Sequence, residues 1–272
     1  GDKAARRAAA EALAFLGFDL LPDLEKLLGD SSPAAREGAA RTVAFMGVPA
    51  RSAAKEAAKL LRDAEPEVRV QAALAVWRLD GEPLDPLRVL DLVLKDVDNR
   101  DRWEAIEAVA YIAIEASPSI RGLTEVLVNG LKDRDARVRA TSAKWLWKRT
   151  KEGKNILPLL RDAAGAKDEA ARLVAAETLG ELEEEDGPGP LLASLLDDRS
   201  AAVRAAAAEG LGRVGDVAAA LKALKGKGKG PTGAVRALGF MGPKAKEALP
   251  GLGKIDTPLA KWAVGRIKAV KE

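Results

Sequence analysis

Small and aliphatic residues recur at fixed spacings along this chain of 272 residues. After Arg204, apolar residues follow at the third, fourth and seventh positions, namely Ala207, Ala208 and Leu211. Residues at these spacings lie on one face of an α-helix. An acidic residue, Asp198, stands six positions before the arginine. The pattern predicts an amphipathic helix that begins shortly after an acidic turn.

The same pattern is repeated from one end of the chain to the other. The equivalent anchor positions are Arg6, Arg36, Arg69, Arg102, Arg139, Arg172, Arg204 and Pro231. After each anchor, the third and fourth positions are mostly alanine and the seventh is leucine or valine. Small residues in the middle of a helix face allow a second helix to approach closely. The repeats therefore predict a series of closely packed helices.

A second apolar segment lies between successive anchor helices and is usually opened by proline. Examples are Leu21-Pro22-Asp23-Leu24, Asp85-Pro86-Leu87, Leu157-Pro158-Leu159 and Gly189-Pro190-Leu191. Proline suits the first turn of a helix, where its missing N–H has no partner to lose. Each unit is thus a helical hairpin of roughly 30 to 37 residues, within the range of known helical repeats. A single hairpin cannot bury its apolar face, so neighbouring hairpins must stack.

These units resemble HEAT repeats of the short bacterial type. The motif Asp…Val-Arg-x-x-Ala-Ala-x-x-Leu-Gly is matched at 198–212 and 133–146, and at 63–76 with Trp77 in the place of the glycine. The resemblance covers nearly the whole chain. It implies a solenoid fold but no single function, because the family includes interaction scaffolds, phycobilin-lyase-like proteins and a DNA-glycosylase branch.

The predicted fold is all-α: a right-handed α-α superhelix, or HEAT-like solenoid, of about eight helical hairpins. We predict one domain over residues 1–272, because stacked repeats form one elongated unit. Residues 1–30 are its N-terminal capping repeat. Residues 243–272 are predicted to form a degenerate C-terminal cap, since the last segment fits the repeat pattern poorly.

The second helices of the third to fifth units each have an apolar face and a charged face. The leucines predicted to face the core are Leu87, Leu90, Leu94, Leu123, Leu127 and Leu160. The opposite side carries Arg88, Asp91, Lys95, Arg121, Glu125, Asn129, Lys154 and Arg161. In a HEAT-like superhelix this side is the concave one, so the resemblance implies a continuous partner-binding strip. Its mixed charge favours a protein or peptide partner, because a nucleic acid calls for a nearly uniform basic groove.

Tryptophans are concentrated in the middle of the chain. Trp77 and Trp147 occupy a repeat position that is otherwise small, so they either fill a wider gap between helices or stack on a ligand. The candidates for an aromatic platform are Trp103, Trp145 and Trp147. A glycosylase-like site would place an acidic residue between two tryptophans. The arrangement closest to this comprises Trp103, Glu104 or Glu107, and Trp145.

Most anchor arginines have an aspartate six residues earlier in the chain. The pairs are Asp30–Arg36, Asp63–Arg69, Asp96–Arg102, Asp133–Arg139 and Asp198–Arg204. An aspartate in each turn can accept hydrogen bonds from the start of a helix and pair with the neighbouring arginine. Regular repetition of such pairs indicates a structural ladder rather than a row of phosphate-binding arginines. We therefore expect Arg139 to pair with Asp133.

The composition excludes several kinds of active site. The chain has no histidine and no cysteine, so the commonest general bases, nucleophiles and soft-metal ligands are missing. We predict no catalytic residue, metal site or cofactor, and a non-enzymatic function. The formal net charge is +3, which is low for a DNA-binding protein.

Lysine is enriched in the C-terminal third, where residues 225–230 alternate lysine and glycine before Pro231. Three cations on a flexible backbone could hold phosphate, although the segment lacks the glycine–lysine–Ser/Thr ending of a P-loop. A flexible linker between repeats is the other interpretation.

No apolar run approaches the length of a membrane span, and no signal peptide is visible. Because the chain begins at Gly1, residues before it could have been removed. Both a cytoplasmic location and export after loss of an N-terminal signal are therefore open.

Three hypotheses of function follow. The first is a scaffold that binds a protein or peptide partner on its concave face. The second is a nucleic-acid-binding or base-modifying HEAT protein that uses the tryptophans and the basic C-terminal third. The third, a phycobilin-lyase-like chaperone of a tetrapyrrole, rests on the resemblance alone. The identity of the partner and the oligomeric state do not follow from the residues.

Overall fold

The chain is built from helices joined by short turns. A computed structural model describes residues 3–81, 84–96, 101–115, 122–151, 153–183 and 187–269. Within these ranges the chain contains no β-strand, and the predicted all-α fold is confirmed. The chain divides into two compact units, Gly1–Arg134 (unit 1) and Asp135–Glu272 (unit 2). The assignment of all 272 residues to a single domain stays a prediction.

Unit 1 consists of four helical hairpins. Its helices are α1 (Lys3–Phe15), α2 (Leu21–Leu27), α3 (Pro33–Met46), α4 (Ala54–Lys59), α5 (Pro66–Asp80), α6 (Leu84–Lys95), α7 (Arg102–Glu115) and α8 (Leu123–Gly130). Short 3-10 helices at Phe18–Leu20, Val48–Ala53 and Leu60–Arg62 flank α2 and α4. The anchor helices α1, α3, α5 and α7 pack side by side in one layer, and α3, α5 and α7 each also pack against the second helix of their own hairpin or of a neighbouring one.

Unit 2 continues the alternation. Its helices are α9 (Ala136–Thr150), α10 (Gly153–Ala164), α11 (Glu169–Leu179), α12 (Gly189–Leu195), α13 (Ala201–Val214), α14 (Val217–Leu224), α15 (Gly230–Met241), α16 (Leu249–Leu252) and α17 (Pro258–Lys268). A 3-10 helix at Gly242–Ala248 precedes α16. The anchor helices α9, α11, α13 and α15 form one layer, and α17 packs against α15 in the place of a further anchor helix. The capping role of residues 243–272 stays a prediction.

Local sequence sets the ends of the helices. Asp135 and Ser200 are N-caps whose side chains accept hydrogen bonds from the first turns of α9 and α13, as expected for short polar residues at this position. Pro66 occupies the first turn of α5. Gly81 and Gly215 follow the ends of α5 and α13 with φ of 76° and 85°, a left-handed conformation that glycine adopts without a steric penalty.

The small residues of the repeat pattern form the contacts between helices. In α13, Ala207, Ala208 and Leu211 are at most 1% exposed. Between α11 and α13, a Cβ on Gly180 would lie only 2.4 Å from Cα of Gly210, so these two helices approach until their backbones touch. Such close packing requires residues without large side chains.

Trp77 and Trp147, the two tryptophans at the otherwise small repeat position, are buried between helices rather than exposed to solvent. Trp77 is 9% exposed in α5, and Trp147 is 8% exposed in α9. Of the two interpretations of this position, the structure therefore supports a wider gap between helices that the indole rings fill. Leu13, by contrast, is 40% exposed although it occupies the aliphatic seventh position; among the described residues, the anchor helix that packs against α1 is α3.

The arginine–aspartate ladder runs between consecutive hairpins. Arg36 donates from Nε and Nη2 to the carboxylate of Asp63, at 2.7 and 2.9 Å, and from Nη1 to the backbone carbonyl of Asp30 at 2.9 Å. Asp63 lies 27 residues further along the chain, in the turn before the next anchor helix. The aspartate six residues earlier therefore supplies a carbonyl, and the next turn supplies the carboxylate.

The geometry gives Arg139 a carboxylate partner that the spacing did not predict, and its expected pairing with Asp133 stays a prediction. The carboxylate of Asp133 accepts from Nε of Arg102 at 3.0 Å, whereas Arg139 donates from Nη2 to Asp162 at 2.7 Å. The next turn has Ala166 where an aspartate would stand in the repeat, so Arg139 uses an aspartate from the preceding helix α10 instead.

The ladder changes the acidity of its carboxylates. The hydrogen bond from Arg36 holds the pKa of Asp63 below its usual value, although burial acts in the opposite direction. Burial alone would raise the pKa of Asp198, but hydrogen bonds from Arg172 and from the N–H of Ser200 bring it below its usual value. Both carboxylates are therefore ionised in the folded protein, as the ion pairs require.

Candidate functional site

Helices α6 and α8 carry five of the predicted partner-binding residues on the surface of unit 1. Arg88 and Lys95 on α6 are exposed, and Asp91 between them is half-buried. Glu125 and Asn129 on α8 are exposed. Because α6 and α8 contact each other, these side chains lie in one neighbourhood, which we call the α6–α8 face.

The opposite sides of the second helices lie in the core, as predicted. The leucines that are at most 5% exposed are Leu87, Leu90, Leu123, Leu127 and Leu160. Leu94 is half-buried. The amphipathic assignment of α6, α8 and α10 is therefore correct.

Two exposed aliphatic side chains, Leu92 at 62% and Val128 at 38%, interrupt the charged surface of the α6–α8 face. Leu92 lies four residues after Arg88 and three before Lys95, a spacing that puts the three side chains on one side of α6. On α8, Val128 lies three residues after Glu125, so these two side chains also share one side of their helix. The sequence pattern had assigned only charged residues and Asn129 to this side.

A groove of about 390 Å³ lies beside these residues. Asp91, Lys95 and Asn129 line it together with the apolar Leu94 and Val126. The ammonium group of Lys95 donates a hydrogen bond to the Asp91 carboxylate, and this bond raises the pKa of Lys95. The groove also contains the Arg102–Asp133 ion pair and two further basic residues, Lys132 and Arg134, so four basic and two acidic side chains lie beside the apolar Leu94 and Val126.

The remaining members of the predicted strip lie elsewhere. Lys154 and Arg161 are on α10 of unit 2, where Arg161 is exposed. Arg121 lies outside the described residues. A continuous concave strip along all three second helices stays a prediction.

The three candidate platform tryptophans are divided between the units. Trp103 is half-buried in α7 of unit 1, and Trp145 is half-buried in α9 of unit 2. The ammonium of Lys148 lies 5.2 Å from the ring centroid of Trp145, and that of Lys151 lies 4.5 Å from the centroid of the buried Trp147. Both are cation–π contacts within the protein. A common aromatic platform stays a prediction.

A cavity of about 250 Å³ opens on the anchor-helix layer of unit 1. Its lining residues are Arg7, Arg41, Ala44, Phe45, Val70, Gln71, Leu74, Arg78, Trp103, Glu104, Glu107, Ala108 and Tyr111. Trp103, Glu104 and Glu107 thus lie together, as the glycosylase-like arrangement grouped them, whereas Trp145 belongs to unit 2. The repeat pattern describes the opposite, small-residue face of these helices, so it gave no sign of a cavity here.

The lysine–glycine segment before α15 is attached to the preceding hairpin. The backbone N–H of Lys229 donates a 2.7 Å hydrogen bond to Asp197, and Gly228 adopts a φ of 78°. A carboxylate therefore already takes the backbone donor that a phosphate would need. This contact favours the linker interpretation over the phosphate-binding one.

Two negative observations apply to the part of the chain that the structure describes. No group of three or more acidic side chains there is arranged to hold a metal ion. No helix in those ranges is long and apolar enough to cross a membrane.

Comparison with known proteins agrees with the helical fold. The family model for HEAT repeats matches residues 124–212, and the resemblance seen in the sequence is confirmed. The YibA protein of Escherichia coli, solved by X-ray crystallography, superimposes with a TM-score of 0.64 at 19% identity, covering 99% of this chain and 98% of YibA. An engineered protein superimposes with a TM-score of 0.51 at 21% identity, covering 98% of this chain and 84% of the other. These likenesses concern the fold alone. No curated protein matches the chain.

Proposed function

Since the chain is an all-α solenoid with HEAT repeats over residues 124–212, we propose that it is a non-enzymatic scaffold that binds a protein or peptide partner on the α6–α8 face. Solenoids of this kind offer extended surfaces in which neighbouring repeats contribute adjacent side chains. The observation that carries the proposal is the pair of exposed aliphatic residues, Leu92 and Val128, set among charged residues beside a groove.

The composition of the α6–α8 face is that of a protein interface. Its aliphatic members can be desolvated at the centre of a contact, and its charged members can stay partly hydrated at the edge. Leu92 exposes 62% of its surface, and burial of a leucine side chain contributes roughly 1.5–3 kcal/mol. Burial of the exposed part of Leu92 against a partner would therefore contribute about 1–2 kcal/mol to binding.

The groove beside Leu94 and Val126 supplies the complementary feature. Its volume of about 390 Å³ accommodates one or two side chains of a partner. The Lys95–Asp91 pair at its edge is already neutral, so an apolar side chain can enter without leaving a charge unpaired. The groove can receive a side chain of the partner, and the exposed Leu92 can insert into a pocket on the partner's surface.

The charge distribution favours a protein over a nucleic acid. Around the groove, Arg102 is paired with Asp133 at 3.0 Å and Lys95 is paired with Asp91, and Lys132 and Arg134 add two further basic side chains. A nucleic-acid backbone would require a run of basic groups that are not neutralised by carboxylates. The alternation of the two signs provides specificity for a partner with complementary charges.

A comparison of proteins retained from a nuclease-treated lysate of the source cells tests the proposal. The wild-type chain, a face variant and a control with a similar change of net charge are immobilised. The face variant carries Leu92→Asp, Arg88→Glu and Lys95→Glu. The control carries Lys225→Glu and Lys227→Glu, which change two exposed lysines of unit 2. All three should keep the same helical spectrum, because exposed substitutions rarely affect stability.

We expect at least one protein to be retained by the wild type and the control but lost from the face variant. With that partner purified, the affinity of the face variant should fall about 30-fold or more, since truncation of a hot spot costs 2 kcal/mol or more. Equal retention by all three baits would contradict the proposal. Retention that disappears for every bait after nuclease treatment would support a nucleic-acid partner instead.

A further inference from the structure

The cavity in the anchor-helix layer of unit 1 contains a buried cation with an unsatisfied donor. Arg41 is 8% exposed. Its Nη2 donates to Glu37 at 2.7 Å and lies 3.6 Å from Glu104. Its buried Nε has no hydrogen-bond acceptor among the described residues. Buried polar groups are nearly always hydrogen-bonded, so a donor of this kind calls for an acceptor from a ligand or water.

A second cation stands at the edge of the same cavity. Arg7 is exposed, and its Nη2 donates to the hydroxyl of Tyr111 at 3.4 Å. Within the ranges that the structure describes, no carboxylate lies within ion-pair distance of Arg7. The guanidinium of Arg78 lies 5.0 Å from the centroid of the Tyr111 ring and donates to the carbonyl of Ala44 at 3.3 Å. Tyr111 thus holds one arginine by its hydroxyl and another over its ring.

The charged side chains around the cavity carry a net charge of one positive unit, which one negative charge on a ligand would neutralise. Three guanidinium groups, those of Arg7, Arg41 and Arg78, and two carboxylates, those of Glu104 and Glu107, line it. The buried Glu37 behind Arg41 is also within 3.4 Å of Arg6, so it does not neutralise Arg41 alone. One positive charge in excess suits a singly charged anion better than a phosphate dianion or a cation.

Apart from the buried amide of Gln71, which donates to Glu104 at 3.4 Å, the rest of the wall is apolar and aromatic. Phe45, Leu74 and Trp103 form its larger surfaces, and Ala44 and Ala108 leave space at its base. A volume of about 250 Å³ is close to the lower end of the usual range for ligand pockets, which begins near about 300 Å³. This is the size of a single ring or a short aliphatic group rather than of a nucleotide.

We infer that this cavity binds a monocarboxylate with an aromatic or aliphatic body, the carboxylate between Arg7 and Nε of Arg41 and the body against Trp103 and Phe45. Guanidinium groups are the usual partners of carboxylates, because their planar donors match the two carboxylate oxygens. The same chemistry is presented by a free organic acid and by the C-terminal residue of a peptide, so the experiment distinguishes these two sources.

Phenylacetate and indole-3-acetate serve as free-acid probes, and phenylacetamide and indole-3-acetamide as neutral controls of the same shape. A tripeptide that ends in phenylalanine, with a free or an amidated C-terminus, tests the peptide source. Binding is measured by calorimetry on the full chain. The chain is also labelled with 5-fluorotryptophan for ¹⁹F NMR, and the Trp103 resonance is assigned with Trp103→Phe.

We expect at least one free carboxylate, acid or peptide, to bind and to shift the Trp103 resonance. The matching amide should bind about tenfold more weakly or worse, because a charged hydrogen bond contributes at least about the free energy of one decade in affinity. Arg7→Met should weaken binding to a similar degree while the helical spectrum is unchanged. Arg62→Met, which removes an exposed arginine from the 3-10 helix Leu60–Arg62 of the same unit, should have no effect.

Several outcomes would overturn the inference: equal affinity for acid and amide, the same loss for Arg62→Met as for Arg7→Met, or no shift of the Trp103 resonance. Absence of binding by every carboxylate probe at millimolar concentration would also overturn it. Binding by the free acids alone or by the peptide alone would identify the source of the carboxylate.

Discussion

The ion pair between Arg172 and Asp198 is the best-defined rung of the ladder in unit 2. The carboxylate of Asp198 accepts from Nε and Nη2 of Arg172, at 2.8 and 3.1 Å, and from the N–H of Ser200 at 2.8 Å. The two side chains are only 5% and 7% exposed. Asp198→Ala removes all three hydrogen bonds and leaves a buried guanidinium without its counter-charge.

The size of the effect follows from that burial. Removal of one partner of a buried ion pair typically costs about 3–5 kcal/mol, because the remaining charge stays desolvated. Arg172 keeps two backbone acceptors, the carbonyls of Ala166 and Lys167, at 3.0 and 2.9 Å. We therefore expect a loss near the lower limit, about 3 kcal/mol.

Asp162→Ala is the matched control, because it removes the carboxylate that pairs with Arg139 in the same unit. Asp162 is 62% exposed, and an exposed pair contributes only about 0–1 kcal/mol. Urea denaturation followed by far-UV circular dichroism measures both variants. A loss that is equal for the two substitutions, or below about 1 kcal/mol for Asp198→Ala, would refute the structural role of the ladder.

Two further predictions concern acidity and helix packing. The pKa values of Asp63 and Asp198 are lower in the folded than in the unfolded protein, so their stabilising contribution is present above the unfolded value of about 4 and is lost as the pH falls through the folded values. The urea concentration at the midpoint of unfolding should therefore decline below about pH 4. A midpoint that stays constant there would contradict the lowered pKa values of Asp63 and Asp198. Gly180→Ala should destabilise the protein by about 1–3 kcal/mol, because its Cβ would meet the backbone of Gly210 at 2.4 Å. Gly38→Ala, where no atom lies within 4 Å of the new Cβ, should stabilise by about 0.5–1 kcal/mol, and identical effects at the two glycines would contradict the close approach of α11 and α13.

The fold could be predicted because its determinants are local and repeated. Alanines at the third and fourth positions, an aliphatic seventh position and proline at helix starts define each hairpin without knowledge of the others. The ladder was less accessible, since a spacing of six residues suggested Arg139 with Asp133. The printed geometry takes the carboxylate from the next turn for Arg36, where Asp63 lies 27 residues away, and from helix α10 for Arg139, where Asp162 accepts.

The candidate sites depend on contacts that no local pattern contains. Arg7 and Tyr111 are 104 residues apart, and only the stacking of four hairpins brings their side chains to the same cavity. The charges of the α6–α8 face were predictable from the helical period. The exposure of Leu92 was not, because it depends on which neighbouring helices leave that side of α6 uncovered.

Site-specific photo-crosslinking on the α6–α8 face tests the proposed function most directly. A photoreactive phenylalanine derivative replaces Leu92, and the matched control replaces Val48, an aliphatic residue of the same unit that is 67% exposed. We expect that, in the source cells, illumination crosslinks the variant at position 92 to one discrete protein partner and does not crosslink the variant at position 48 to that partner. The same adducts from both positions, or an adduct from position 48 alone, would contradict it.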